Sequence, residues 1–144
     1  MTSPLERLAG PGGSLAPEPA DPQEFEGLKK SGLARFKDAG NTELALESRF
    51  DLAYNAAHAL SLAALRRMDY RAQHRYIVFQ VLPHTLGLRA EVWRVLSKAH
   101  ELRNLGEYEG DMNIDARIVA DLITATRAVA NAIEKLSVAP KATK

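Results

Sequence analysis

The chain has 144 residues, of which 46% are hydrophobic and 26% are charged, and its formal net charge is +1. These values are typical of one globular domain with a hydrophobic core. The balanced charge excludes nucleic-acid binding by bulk positive charge, but it leaves room for a local basic groove. The absence of cysteine excludes disulfide and thiolate chemistry. With no secretory signal and no apolar run near the ~20 residues of a membrane span, we expect a cytoplasmic protein that does not contact a membrane.

Both ends of the chain have the composition of flexible tails. Five of the seven prolines lie within residues 1–22, together with the run Gly10-Pro11-Gly12-Gly13. Such a segment buries too little apolar surface to offset the entropy that is lost on ordering. We therefore expect flexible tails at residues 1–22 and 137–144, and one helical bundle at residues 23–136.

Between these tails, the spacing of apolar residues predicts helices and no strands. Alternating runs and Asn-Gly or Asp-Gly turns are both missing from the sequence. The longest predicted helix is apolar on most of its circumference, which is typical of the central helix of a bundle. Thr42 can cap this helix, Pro83 ends the short third one, and Asn113 can cap the last. The predicted fold is an all-α, up-and-down bundle of four to five helices, at about residues 24–37, 43–68, 72–81, 89–108 and 113–136.

The end of the fourth helix carries the sequence Arg103-Asn104-Leu105-Gly106-Glu107-Tyr108. An arginine offers a planar fork of donors that suits phosphate oxygens. Tyr108 lies five residues beyond Arg103, so the two side chains point apart on a regular helix. Unwinding of the last turn at Gly106 would bring the phenol back towards the guanidinium.

The fourth helix also carries two stripes on a helical wheel. One is apolar and is expected to face inward: Val92, Val95, Ala99, Leu102 and Gly106. The other is mixed: Trp93, Leu96, His100, Arg103, Asn104 and Glu107. In one interpretation, Trp93 packs on the core and the polar residues form a surface charge ladder. In the other, Trp93, Leu96, His100 and Glu107 form an interface with a second copy of the chain, because tryptophan and arginine are enriched at interface hot spots.

A second basic run lies after the central helix, Arg66-Arg67-x-x-x-Arg71-x-x-His74-Arg75. This run either flanks a groove that holds phosphate or is a solvated helix end whose charges complement the helix dipole. His58 is expected to form a hydrogen bond within the bundle. His74 and His84 are expected at the surface. The four histidines are scattered, so we expect no metal site and no cofactor.

Two segments resemble the HEPN domains (higher eukaryotes and prokaryotes nucleotide-binding). Residues 48–60, Ser-Arg-Phe-Asp-Leu-Ala-Tyr-Asn-Ala-Ala-His-Ala-Leu, are similar to their second-helix segment. Residues 103–108 are similar to their hallmark, an arginine and a polar residue followed by a histidine four to six positions after the arginine. They are closer to a subgroup whose motif ends in an acidic residue and a tyrosine. The resemblance covers about residues 24–136, and Tyr108 stands where the histidine would be.

The resemblance implies a helical bundle that forms a homodimer and brings two arginine motifs together in one cleft. Many HEPN proteins are metal-independent ribonucleases of toxin–antitoxin, phage-defence or RNA-processing systems, and several pair with a small nucleotidyltransferase as antitoxin. We therefore expect RNA binding or RNA cleavage in a bacterial module of this kind. The alternative is a non-catalytic dimerisation or interaction module, in which Arg103 pairs with Glu107 or with an acid of the second subunit.

Metal-free RNA cleavage requires a base, an acid and positive charge on the phosphate. Arg103 supplies the charge, and Asn104 orients the phosphate or the neighbouring chain. A tyrosine with the usual pKa near ~10 is only about one part in a thousand ionised at neutral pH. Tyr108 is therefore a weak base, although it can donate a proton or orient a phosphate. His100 lies one turn before Arg103 and is the candidate substitute base. The predicted catalytic residues are Arg103, Tyr108 and His100.

Overall fold

The computed structural model describes residues 3–109 and 113–136, and for residues 107–109 it describes the backbone alone. This part of the chain is a helical bundle with one small two-stranded sheet, which confirms the predicted all-α class. Its elements are α1 (Pro4–Leu8), β1 (Leu15–Pro17), α2 (Pro22–Ala39), α3 (Leu46–Arg66), β2 (Tyr70–Ala72), α4 (Ile77–Gln80), α5 (Leu82–Thr85), α6 (Ala90–Glu109) and α7 (Ala116–Glu134).

Helix α3 is the centre of the bundle, as its sequence predicts. It packs against α2, α6 and α7, and its buried residues include Phe50, Tyr54 and Leu60. Small residues let α2 approach closely: a Cβ atom at Gly32 would lie 2.6 Å from Cγ of Leu60. The hydrophobic core therefore surrounds α3 along its whole length.

The helix starts differ from those expected at two positions. Helix α7 begins after Asp115, whose Oδ1 accepts a hydrogen bond of 2.8 Å from the Ile118 amide, so Asn113 is not its cap. Helix α3 begins after Ala45, which makes no side-chain cap, and Thr42 lies in the preceding turn. In both cases the helix begins closer to its apolar run than the sequence pattern indicated.

The segment 72–81 that was predicted as the third helix is instead the end of strand β2, a loop and the short helix α4. Strand β2 follows α3 through Asp69, which has a φ of 71°, and α4 and α5 come next. Pro83 lies in the first turn of α5 rather than ending a helix. This position suits proline because the first-turn amides of a helix have no intrahelical acceptor. The break before α4 is important, since it places the loop residues 73–76 beside α3 and α6.

The structure contradicts the expected flexible tail over residues 3–22. Strand β1 pairs with β2 in antiparallel register, with Leu15 opposite Ala72, and the side chains of Leu5 and Leu15 are buried. The Arg66 guanidinium, whose side chain is 4% exposed, donates hydrogen bonds to the backbone oxygens of Glu18 and Pro19. The composition did not predict that this segment is ordered, because the segment is held by backbone hydrogen bonds to β2 and by one buried arginine. The expected tail at residues 137–144 lies outside the described residues.

Within residues 3–109 and 113–136, no helix combines the length and apolar character that crossing a membrane would require.

Candidate functional site around Tyr54

Polar and aromatic side chains from three elements meet around Tyr54. Helix α3 contributes Tyr54 and residues one turn away, the loop before α4 contributes two neighbouring residues, and α6 contributes three residues within one turn. We call this group the Tyr54 cluster, and its members are Tyr54, Asn55, His58, Arg75, Tyr76, His100, Arg103 and Asn104. It forms because the Ala-rich surface of α3 lets α6 and the loop come close to the phenol.

The centre of the cluster is a chain of hydrogen bonds that leads from the loop to the surface of α6. Nε of Arg75 donates to the Tyr54 hydroxyl over 3.2 Å. That hydroxyl lies 2.9 Å from Nδ1 of His100, and Nε2 of His100 lies 3.2 Å from the side-chain nitrogen of Asn104. Tyr54 is fully buried, whereas Arg75 and Asn104 are exposed. A buried phenol therefore connects two polar groups at the surface.

The hydrogen bonds at the two ring nitrogens of His100 depend on each other, because only one nitrogen of a neutral imidazole carries a proton. If the Asn104 amide donates to Nε2, then Nδ1 carries the proton and donates to the Tyr54 oxygen. If instead the Tyr54 hydroxyl donates to Nδ1, then Nε2 carries the proton. In either case Tyr54 fixes the orientation of the ring and responds to its tautomer. The face of the same imidazole contacts the ring of Tyr76, with 5.2 Å between centroids.

Two guanidinium groups approach the Tyr54 ring. Cζ of Arg103 lies 5.1 Å from the ring centroid, and Cζ of Arg75 lies 5.5 Å from it. Both distances are within the range of a cation–π contact. Nη2 of Arg75 also donates to Oδ1 of Asn55 over 3.2 Å. These contacts hold two positive charges, from distant parts of the sequence, beside one aromatic ring.

The pKa of His58 responds to burial and to these nearby charges. Burial, as the largest cause, and the electrostatic effects of Arg75, His100 and Arg103 together lower the pKa of His58 from 6.5 to about 4. Its ring contacts the edge of Phe79, with 6.1 Å between centroids. The hydrogen bond expected for His58 is not formed with any described residue, so the imidazole is held by packing. It is neutral at physiological pH.

The structure brings together three of the predicted site residues and changes the role of another. His100, Arg103 and Asn104 all belong to the Tyr54 cluster. Leu96 was expected at an interface, but its side chain is fully buried in the core, so that prediction is wrong. The reason is a rotation of α6: Leu96 and Ala99 face inward, while the supposedly inward Val92, Val95 and Leu102 are only half-buried.

Other predicted residues have different outcomes. Trp93 is half-buried and packs against the core, in line with the first of its two interpretations, and part of it stays accessible. The side chains of Glu107 and Tyr108 lie outside the described residues, so their predicted roles stay predictions. In the basic run, Arg66 and Arg71 are paired with Glu18, and Arg66 also with Glu24, whereas Arg75 reaches the cluster.

Tyr54 was not among the predicted site residues, and Arg75 was considered only as part of the basic run that either flanks a phosphate groove or is a solvated helix end. Tyr54 was assigned to the core, which is correct for its ring, but its hydroxyl needs a polar partner when buried. That requirement, one turn before His58 on an otherwise small-residue surface, was the available signal. Arg75 gave no comparable signal, because the loop that carries it was predicted to be helical.

A cavity of about 360 Å³ adjoins the cluster and shares His58 and Arg75 with it. Its other lining residues come from α3, from β2 and α4, and from the chain before and at the start of α2. Within the described part of the chain, no group of three or more His, Cys, Asp or Glu residues is arranged to hold a metal ion.

Comparisons of the chain with protein-family models, with curated proteins and with solved structures found no match. The HEPN resemblance therefore depends on the residues in segments 48–60 and 103–108. The geometry of the Tyr54 cluster is an independent observation.

Proposed function

We propose that this protein binds RNA through a backbone phosphate at the Tyr54 cluster. The observation that carries the proposal is the approach of two guanidinium groups, of Arg75 and Arg103, to a single tyrosine ring. Guanidinium groups bind phosphate oxygens through paired donors, and adjacent amides and imidazoles add further donors. A site of this kind needs no excess of positive charge over the whole chain, which agrees with the net charge of +1.

The electrostatics of the cluster support an anionic ligand. In addition to the larger effect of burial, the guanidinium charges of Arg75 and Arg103 lower the pKa of His58, so these two groups make the potential at this ring more positive. Arg75 and Asn104 are exposed, so each of them is accessible to an anion from solution. Buried Tyr54 holds Arg75 and His100 in place before any ligand arrives, and such preorganisation reduces the entropy lost on binding.

The HEPN resemblance extends this proposal to the biological setting. Arg103 and Asn104 occupy the first two positions of the segment that resembles the HEPN motif, and both lie in the cluster. On that basis the protein acts as a homodimer whose two clusters share one cleft. Its setting is a bacterial toxin–antitoxin or defence module, with a cognate nucleotidyltransferase as antitoxin. Trp93 and the accessible part of α6 form the proposed dimer contact.

Metal-independent RNA cleavage is the second candidate function, and the position of His100 favours it. If Nε2 accepts from Asn104, the same nitrogen can accept the proton of a ribose 2′-hydroxyl that displaces the amide. The 2′-oxygen would attack the adjacent phosphorus and expel the 5′-oxygen, which would take up a proton from water. Tyr54 would stabilise the imidazolium through Nδ1–H, while Arg103 would neutralise charge on the phosphate. The non-catalytic interaction module is the remaining alternative, and it requires neither RNA affinity nor a proton-accepting His100.

The affinity of arginine variants for a short single-stranded RNA tests the proposal. Arg103→Ala and Arg75→Ala should each weaken binding by about tenfold and reduce the salt dependence by about 0.7 in slope, as expected for one lost phosphate contact. Arg117→Ala is the matched control, because this arginine lies on α7 with its side chain 89% exposed, and it should leave both quantities unchanged. Equal losses in all three variants, or a wild-type protein that does not bind RNA, would overturn the proposal.

Cleavage is tested separately with the same RNA. His100→Gln should abolish cleavage while it retains most of the RNA affinity, because glutamine keeps hydrogen-bonding groups but cannot accept a proton at neutral pH. Cleavage that persists in both His100→Gln and Arg103→Ala would remove the ribonuclease candidate and leave the binding proposal standing.

A further inference from the structure

The cavity beside the Tyr54 cluster has the features of a base-binding pocket. Its volume of about 360 Å³ lies within the range of small-ligand sites. Leu62, Ala72 and Val78 give it apolar walls, and the neutral imidazole of His58 lies at the end nearest the cluster. Nucleobases stack on aromatic rings in many single-strand binding sites, and in this cavity the His58 imidazole is the flat ring while the aliphatic side chains supply apolar contact.

One part of the polar cavity lining consists of two carboxylates, of Glu18 and Glu24, and of the two arginines that pair with them. Oε1 of Glu24 accepts from Nε of Arg66 over 2.8 Å, and Glu18 pairs with Arg66 and Arg71. Arg66 also lines the cavity, but its side chain is only 4% exposed, and its donors are taken up by the two carboxylates and by backbone oxygens. The Glu24 side chain is 40% exposed, and an ionised carboxylate is an acceptor only. The exposed part of the Glu24 carboxylate can therefore accept a hydrogen bond from a ligand that presents a donor.

The opposite side of the cavity is basic and continuous with the phosphate site. Arg75 lines the cavity and also donates to Tyr54 and Asn55, and the exposed His74 lies next to it in the chain. A phosphate held by Arg75 consequently lies at the mouth of the cavity. The base of the adjoining nucleotide is the nearest flat group that can enter.

We propose that this cavity is a base-selective subsite which accepts an RNA base bearing an exocyclic amino group and disfavours uracil. The inference rests on the proposed RNA binding and adds a specificity to it. The amino groups of cytosine, adenine and guanine can donate to the Glu24 carboxylate, in the way that acidic side chains accept from cytosine N4 in nucleic-acid complexes. Uracil presents its N3–H between two carbonyl oxygens, which repel a carboxylate. Glu24 is therefore a specificity-determining residue, and the half-buried Leu62 contacts the base next to the buried Val78.

Oligocytidylate and oligouridylate of equal length are matched probes, because their bases differ only in the groups at positions 3 and 4. The wild-type protein should bind oligocytidylate about threefold to tenfold more tightly, as one hydrogen-bonded contact to a base predicts. Glu24→Gln should remove most of this preference, since an amide both donates and accepts while it can still bind Arg66. Glu26→Gln, an exposed change on the same helix outside the cavity, should keep the preference.

Methyl NMR of the wild-type protein provides a second readout that needs no variant to fold. Oligocytidylate should shift the methyl signals of Leu62 and Val78, whereas inorganic phosphate should perturb the Tyr54 cluster and leave these methyls unchanged. RNA binding without a cytosine preference, or with both methyls silent, would overturn the subsite and leave the proposed RNA binding intact. Failure of both oligonucleotides to bind would instead overturn the proposed function.

Discussion

The hydroxyl of Tyr54 lies 2.9 Å from Nδ1 of His100, and this contact joins the centre of α3 to α6. It is the buried link of a hydrogen-bond chain whose ends, Arg75 and Asn104, are both at the surface. A change at one end of such a chain alters the polarity of the next bond, so the members act together. The predictions below test whether this chain and the charges around it work as one site.

Tyr54→Phe should remove the link and keep the packing of the ring. The change leaves the Arg75 Nε donor and His100 Nδ1 without their partner, so the free energy of unfolding should fall by about 1–2 kcal/mol. The ¹⁵N shifts of the His100 ring should change at the same time, because its tautomer is no longer coupled to the phenol. Tyr76→Phe is the control: the hydroxyl of Tyr76 has no hydrogen bond within the described residues, although its ring contacts His100. Equal effects of the two changes would contradict the proposed link.

Stability should fall as the pH is lowered from about 6.5 to about 4 because of His58. In this window the unfolded chain binds a proton at His58, while the folded protein, with a pKa of about 4, does not. The unfolded state then holds more protons, so the free energy of unfolding decreases with decreasing pH, by about 2–3 kcal/mol in total. Denaturant unfolding across this range measures the slope.

His58→Gln should flatten the slope within the same pH window, since glutamine does not titrate. His84→Gln, at an exposed position on α5, should retain the wild-type slope. A His58→Gln profile that superimposes on the wild type would show that another group causes the loss of stability.

Two glycines of α2 should respond in opposite directions to substitution by alanine. At Gly32 the new Cβ would lie 2.6 Å from Cγ of Leu60 and 3.3 Å from the backbone oxygen of Ala56, so Gly32→Ala should destabilise the protein by about 1–3 kcal/mol. At Gly27 nothing lies within 4 Å, so Gly27→Ala should stabilise the helix by about 0.5–1 kcal/mol. Thermal unfolding compares the two variants. Stabilisation by Gly32→Ala would disprove the close packing of α2 on α3.

Trp93 is the residue with which to test the proposed homodimer. Part of its ring is accessible and part packs on the core, so Trp93→Ala should both lower the melting temperature and shift a monomer–dimer equilibrium towards the monomer. Leu105→Ser is the comparison, because this side chain is 52% exposed on another side of α6 and should leave association unchanged. Sedimentation velocity gives the oligomeric state. A wild-type monomer, or a dimer that Trp93→Ala leaves unaltered, would rule out this interface.

Much of the fold could be predicted from the sequence because helical periodicity reports local burial. The central position of α3 follows from an apolar surface on most of its circumference, and the limits of α2 and α6 agree closely with the expected ranges. The order of residues 3–22 could not be predicted in this way. It depends on the pairing of β1 with β2 and on the buried Arg66, and these contacts join segments that are far apart in the sequence.

The site could be predicted in part for a similar reason. His100, Arg103 and Asn104 share one turn of a helix, so their proximity is a local property that the sequence shows. Arg75 reaches Tyr54 because a loop separates β2 from α4. The pattern of residues 72–81 predicted a helix there instead. The burial of Leu96 depends on the rotation of α6 about its axis, and the division into one apolar and one mixed stripe predicted a different rotation.

A double-mutant cycle for RNA affinity tests the central claim most directly, namely that Arg75 and Arg103 hold one phosphate. The quantities required are the dissociation constants of the wild type, Arg75→Ala, Arg103→Ala and the double variant, with melting temperatures to confirm folding. If the two guanidinium groups share a phosphate, the double variant should lose less affinity than the single losses combined, by about 0.5 kcal/mol or more. Losses that are additive within about 0.3 kcal/mol would show two independent contacts and contradict the single site at Tyr54.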